Sequence, residues 1–342
     1  MPITLQKSSE SASVKWSASH LSNNLTINRS SESRRSTLYG MSHKSGFTMV
    51  AVSDDGTKRI QSQVVCRIMG NNNNNAASEI DARFTVYIIQ AAFINLPIRN
   101  LLVLACTKSI QIYELDGTTN LHTHMLDKNN TNKTESSIYA RGIAGIGQNL
   151  LCVGNHQGEI LVFNIPPKGN NIFLKETIHG HQFGITYLVS NANLLISSDT
   201  SGVILIKNIR TMSRINEIQS INESGVTSLS IWNNCIVASY ANGMIHLFDP
   251  ENAQMCGSIA AHARCINAID CNEQGLLASV GDDCYVRIWK LSGDAASLQI
   301  SHECNYHLEN SQLVGVKFLN LSRADLAISV YDSYDIIILR AI

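Results

Sequence analysis

Charge is scarce in this chain of 342 residues. Asp, Glu, Lys and Arg make up 15 % of it, and 27 acidic against 26 basic side chains leave a formal net charge of −1. That balance builds no basic stripe able to neutralise a phosphate backbone or an anionic bilayer, which argues against nucleic acid and membrane surfaces as partners. Long apolar runs are missing as well. No stretch approaches the roughly 18 apolar residues of a spanning helix, and the opening MPITLQKSSES has no apolar run behind a basic start, so no membrane insertion and no signal peptide are expected. A disulfide framework is also absent: the nine cysteines (66, 106, 152, 235, 256, 265, 271, 284, 304) are odd in number, scattered, and mostly inside apolar strand patterns. This is how buried thiols are used in a reducing compartment, and the expected location is the cytoplasm.

Motifs for cofactors fare no better. GIAGIG (142–147) lacks the spacing of a phosphate-binding loop and no helix follows it. The pairs His122/His124 and His179/His181 have no third ligand at a metal-binding spacing, and His302, Cys304 and His307 fit a polar outer strand and loop better than a zinc site. No cofactor, no metal and no catalytic residue are therefore expected.

What the chain does have is short alternating apolar segments, 44 % hydrophobic residues in all. The clearest unit is 261–291, AHARCINAIDCNEQGLLASVGDDCYVRIWKL. Period-two alternation broken at Asn272–Gly275 and at Gly281–Asp283 marks three antiparallel strands with tight turns. Segments with the same ending recur at Tyr113, Phe163, Lys207, Phe248 and Trp289, with spacings of 50, 44, 41 and 41 residues. A period of about 40–45 residues with four short strands is that of a propeller blade, whose small sheet cannot cover both of its faces alone.

The unit resembles the WD-repeat β-propeller family: a small residue and histidine (Ala261, His262) open it and a tryptophan (Trp289) ends its third strand, although Lys290 replaces the aspartate of the signature. ARGIAG (140), CVGNHQGEILVFNIPPKGNNI (152), ANGMIHLFD (241) and GDDCYVRIWKLS (281) carry the resemblance along the chain. It implies one all-β domain, a seven-bladed propeller with blades near 21–65, 80–127, 138–178, 180–218, 225–260, 261–303 and 311–342. Ile3–Gln6 would close the ring as the outer strand of the last blade, and Gly70–Ser78 (GNNNNNAAS) would be a disordered loop. It further implies a structural chain of hydrogen bonds through Trp289, Ser279, His262 and Asp283. In the fourth blade Lys207 takes the tryptophan's place and Ser201 that of the turn carboxylate, so there the chain is not expected to form.

The resemblance implies a cytoplasmic, non-enzymatic scaffold or adaptor that works through protein contacts, in solution or on vesicles. Propellers of this kind bind partners around the channel mouth, where the loops here supply Tyr139, Arg141, His156, Phe183, Tyr240, Arg264, Tyr331 and Tyr334. A ubiquitin-ligase substrate receptor is the alternative, but the arginine of Trp-Asp-x-Arg is missing from WKLS (289), FDPE (248) and FNIP (163). Self-association, as a homo-oligomeric regulator of signalling or trafficking, is another. An enzyme or small-ligand binder would need convergent charges in the channel, and the inner strands GIAGIG, GITYLV, VTSLSI, CINAID and LVGVKF offer only Asp270 and Lys317.

Overall fold

The computed structural model describes residues 3–28, 36–53, 59–66, 86–126 and 138–342, residues 222 and 321 excepted. The Asn-rich segment 70–78 lies outside the described residues. Seven antiparallel sheets of four strands each account for the fold. In chain order they are β2–β5 (Leu25–Asn28, Ser36–Ser42, Gly46–Ser53, Arg59–Val65), β6–β9 (Ile88–Leu96, Arg99–Cys106, Ser109–Glu114, Asn120–Met125) and β10–β13 (Ala140–Ile146, Leu150–Asn155, Ile160–Asn164, Phe173–Ile178). Next are β14–β17 (Ile185–Ser190, Leu194–Asp199, Ile204–Asn208, Arg214–Ile218), β18–β21 (Val226–Trp232, Cys235–Tyr240, Met244–Phe248, Met255–Ala260) and β22–β25 (Ile266–Cys271, Leu276–Gly281, Tyr285–Ser292, Gln299–His307). The seventh sheet, ordered β1-β28-β27-β26, joins β26–β28 (Leu313–Phe318, Leu326–Val330, Asp335–Ala341) to β1 (Leu5–Ser13). Among the described residues no helix is long and apolar enough to cross a membrane.

The closing strand is thus longer than the expected Ile3–Gln6. It pairs from Leu5↔Ala341 to Ser13↔Asp335, with a register slip between Lys7 and Ser11. The first strands of successive sheets touch in the cyclic order β2, β6, β10, β14, β18, β22, β26 and back to β2, so the ring is closed.

The reason is visible in the second strands. Arg99–Cys106, Leu150–Asn155, Cys235–Tyr240 and Leu276–Gly281 are buried along most or all of their length, so both faces of each sheet are covered. Residues of the two neighbouring sheets do the covering. Seven apolar clusters each span one boundary between blades, for instance Val237, Ile245 and Leu247 against Ile266, Ile269 and Leu277. Fully burying one such aliphatic side chain contributes about 1.5–3 kcal/mol, and every cluster draws residues from both neighbours. Fourth strands, by contrast, are largely exposed, as in Phe173–Ile178.

One feature of the chain path departs from a first blade that begins at 21, since its first strand starts only at Leu25. Residues 14–24 run from β1 over the turn between β27 and β28, then into the channel before β2 begins. Val14 N donates to Tyr334 O and Ala18 N to Ser333 O. Further along, Ser22 Oγ donates to Asn267 Oδ1 (3.0 Å) and Asn23 Nδ2 to Thr227 O (3.0 Å). Asn23 Oδ1 also accepts from Ser228 Oγ (2.9 Å), and its N–H donates to Val314 O. Asn23 does this at φ +61°, a conformation asparagine tolerates better than most residues.

Removing residues 1–13 is expected to lower the thermal midpoint and to produce concentration-dependent association in size-exclusion chromatography. The deletion leaves β28, with Ile336–Leu339, as an unpaired edge. A truncated chain that melts like the full one and stays monomeric contradicts the closure.

Candidate functional site

In the sixth blade the four expected residues form one chain of hydrogen bonds. Trp289 Nε1–H donates to Ser279 Oγ (3.4 Å), Ser279 O–H to His262 Nε2 (2.8 Å), and His262 Nδ1–H to Asp283 Oδ1 (2.8 Å). Each buried polar atom thereby gains a partner, which is why these residue types occur together. Burial pushes His262 below its ordinary value, so the ring is neutral at pH 7. Burial works against the Asp283 carboxylate, but the bond from His262 and the guanidinium of Arg287 (Nη1–Oδ2 2.8 Å) hold it below its usual range. The side chain of His262 and the whole of Ser279 are 0 % exposed, so the imidazole and the hydroxyl are closed off from solvent.

The fourth blade corrects an expectation. Three members of the network do form, with the carboxylate of Asp199 rather than a group at Ser201, while the fourth, the tryptophan, is missing. His181 Nδ1 lies 2.8 Å from Asp199 Oδ2, and Nε2 2.8 Å from Ser197 Oγ. Asp199 stands opposite Ile185 at the end of β15, and its second oxygen takes the N–H and hydroxyl of Ser201. In the tryptophan's place Lys207 is only 4 % exposed and has no hydrogen-bond acceptor among the described residues. Burial, with Arg214 nearby, pushes its ammonium below the ordinary lysine value.

The face carrying the turns between second and third strands, with the loops leading into each next blade, is the loop face. Phe183 (53 % exposed) and Arg264 (exposed) hold equivalent places there, two residues after His181 and His262. Both backbones are pinned by the preceding blade. A Cβ on Gly158 (φ +81°) would strike the carbonyls of His181 and Phe183, and one on Gly243 (φ +87°) those of His262 and Arg264. Only glycine permits that approach at that backbone angle.

Tyr139 and His156, both half-buried, lie beside the Phe183 loop. Their ring centroids are 6.0 Å apart, and the Tyr139 hydroxyl occupies the space a side chain at Gly184 would need. Tyr331 (47 % exposed) and Tyr334 (57 %) lie on the turn over which residues 14–18 pass, with His20 edge-on to Tyr331. Six of the eight expected loop residues are therefore on this face.

Tyr240 is not among them, being completely buried against Phe248 and Ile236. It stands opposite Val226 as Gly281 stands opposite Ile266, and a Cβ at Gly281 would lie 3.2 Å from the His262 ring. The fifth blade has no such histidine, and the tyrosine ring fills that space; burial pushes its phenol well up.

Arg141 is the second departure, since it belongs to an inner strand. Six inner strands (β6, β10, β14, β18, β22, β26) slip by one residue near their start. Such bulges re-aim the residues within them. Arg141 and Gly142 occupy the slip in β10, as Thr227, Asn267 and Val314 do in the last three blades. The channel thus holds Arg141 besides the bonded pair Lys317 and Asp270 (3.1 Å). Residues 22 and 23, just ahead of β2, engage those same three bulges.

No group of three His, Cys, Asp or Glu able to hold a metal occurs among the described residues. His302 bonds Asn305 (2.7 Å) and His307 stacks on Tyr285, both on the outer strand β25.

His262→Ala is expected to lower stability by about 1–3 kcal/mol, read from denaturant unfolding. His43, His122, His156, His246 and His262 are all pushed below their ordinary value by burial. The unfolded chain therefore binds protons first, and stability is full above about pH 6.5 and falls as pH drops below it. A thermal midpoint constant from pH 7 to 5 contradicts this. Lys207→Met is expected to raise the midpoint by about 1–2 °C, the shift that roughly 1 kcal/mol produces in a domain of this size.

Comparison with known proteins extends beyond the architecture. The WDR54 family profile matches residues 6–342. WD repeat-containing protein 54 of Homo sapiens is 32 % identical over 335 residues, which is 94 % of this chain and 96 % of that protein. WD repeat domain 54 of Rattus norvegicus is 30 % identical over 336 residues, with 95 % and 96 % covered. A chain in the crystal structure of a mitotic checkpoint complex superposes with a TM-score of 0.68 over 99 % of this chain and 91 % of its own, at 13 % identity, a likeness of fold alone. Because the profile runs from the closing strand through all seven blades, the chain belongs to the WDR54 family.

Proposed function

We propose that the protein is a non-enzymatic, cytoplasmic scaffold whose loop face binds other proteins. The observation that carries this reading is the pairing of exposure with rigidity at Phe183 and Arg264. Each projects from backbone held against a glycine of the neighbouring blade, so little ordering entropy remains to be lost on binding. Aromatic and arginine side chains held in this way are the usual anchors of protein interfaces. Tyr139, His156, Tyr331 and Tyr334 extend the same face. His156 also borders a groove of about 450 Å³ shared by the second and third blades, lined with His124, Glu159, Leu174 and His179. The buried, mutually bonded His–Ser–Asp trios supply rigidity to the blades that present these loops, which is a structural use of groups that elsewhere do chemistry.

Affinity purification of the full chain from its native cell, repeated with Phe183→Ala and Arg264→Ala together, tests the reading. The doubly substituted protein is expected to lose at least one partner that the unsubstituted protein retains. Recovery of the same partners by both removes the loop face as the binding surface.

A further inference from the structure

The channel mouth is occupied on one side only. At the fifth, sixth and seventh blades the bulges are consumed by the chain itself: Asn23 takes Thr227 O and Val314 O, and Asn267 is shared by Ser22 Oγ, Asp282 Oδ1 and Leu313 O. At the fourth blade Thr186 Oγ bonds Ser198 Oγ (2.8 Å), and at the third Gly142 N–H goes to Gln90 Oε1 (2.8 Å). In the second blade the slip is taken by the apolar Ile89, which leaves Arg141 as the polar bulge residue without such a bond. Half-buried, it makes no hydrogen bond and no ion pair among the described residues.

The ionisable groups acting on it are the phenols of Tyr139 and Tyr187 and, from the sixth blade, the thiol of Cys265. None of them is a carboxylate. A guanidinium withdrawn from water with no acceptor is costly, and it is most favourably matched by a planar carboxylate taking two parallel bonds. Tyr139 connects this charge to the rim, because its hydroxyl lies against Gly184, next to the exposed ring of Phe183.

We propose that the open half of the channel mouth receives an aspartate or glutamate side chain from an extended segment of a partner protein. Arg141 is the receptor for the carboxylate, and an apolar residue of the same segment covers Phe183. The inference deepens the scaffold reading and rests on it. One guanidinium balances one negative charge. A phosphate dianion would leave a second charge uncompensated near Asp282, whose carboxylate already acts on Cys265 from the same region.

The test is a selection of random 12-residue peptides displayed on phage against the full chain, followed by fluorescence polarisation with the enriched peptides. Proteins compared are the unsubstituted chain, Arg141→Met, Arg141→Lys and Phe183→Ser, each checked for an unchanged thermal midpoint. Enriched peptides are expected to share one acidic position beside an apolar residue. Changing that Glu to Gln, or Arg141 to Met, is expected to weaken binding by about tenfold or more, the two changes together costing little beyond either one. Arg141→Lys retains part of the affinity, so loss through misfolding is separable from loss of charge.

Peptides that enrich without a shared acid, or bind Arg141→Met equally well, overturn the inference and leave the scaffold reading standing. So does a phosphoserine peptide that binds at least tenfold more tightly than its Glu counterpart. A chain that enriches no peptide overturns the inference as well, and the affinity purification with Phe183 and Arg264 then decides the scaffold reading separately.

Discussion

Each sheet of this protein is apolar on both faces, and only another sheet of the same kind can cover them. That constraint explains the closed ring, the absence of one central core and the placement of seven apolar clusters at the seven boundaries between blades. It also explains why side-chain networks are optional. The fourth and sixth blades have His–Ser–Asp trios, whereas the fifth replaces the histidine by the ring of Tyr240 and is buried just as well. Stability in such a ring is close to a sum over neighbouring pairs, so a blade need only offer its neighbours enough apolar surface.

The repeat is legible in the sequence because apolar alternation and turn residues depend on local geometry alone. The spacing of Tyr113, Phe163, Lys207, Phe248 and Trp289 sets the period of the five middle blades, and the closing role of the first strand follows from the missing fourth strand of the last one. Less local features are harder to read. Asp199 serves His181 from a position two residues before the one that analogy with Asp283 indicates, since a histidine needs a carboxylate in reach and not at a fixed count. Tyr240 looks like a loop aromatic because it is followed by the turn Asn242–Gly243, yet it is the last residue of β19. Arg141 escapes because a bulge breaks the alternation by which inward residues are counted. The path of residues 14–24 has no period at all; the adjacent Asn23 and Asn24, able to adopt unusual backbone angles and to bond in several directions, are its only sequence signal.

The loop face and the channel follow from that geometry. A one-residue slip at the start of six inner strands re-aims the residues there, among them the polar Arg141, Thr186, Thr227 and Asn267. Where residues 22 and 23 meet them, these groups cross-link blades distant in sequence, as Asn23 does in bonding Ser228 across 205 positions. Where they do not, Arg141 remains with phenols and a thiol for company. The rigidity that the first arrangement provides is what makes the second usable for recognition, since a receptor group held by a stiff frame loses little freedom when a partner arrives.

The pairing of β1 with β28 also sets a timetable for biosynthesis. Ser13 and its partner Asp335 are 322 positions apart, an interval of roughly 15–65 s at a translation rate of about 5–20 residues per second. Throughout it the first strand has emerged from the ribosome with no sheet to join, while the six complete blades form behind it one after another. Its polar sequence, LQKSSESAS, suits a segment that must stay soluble and unpaired until the last strand is made.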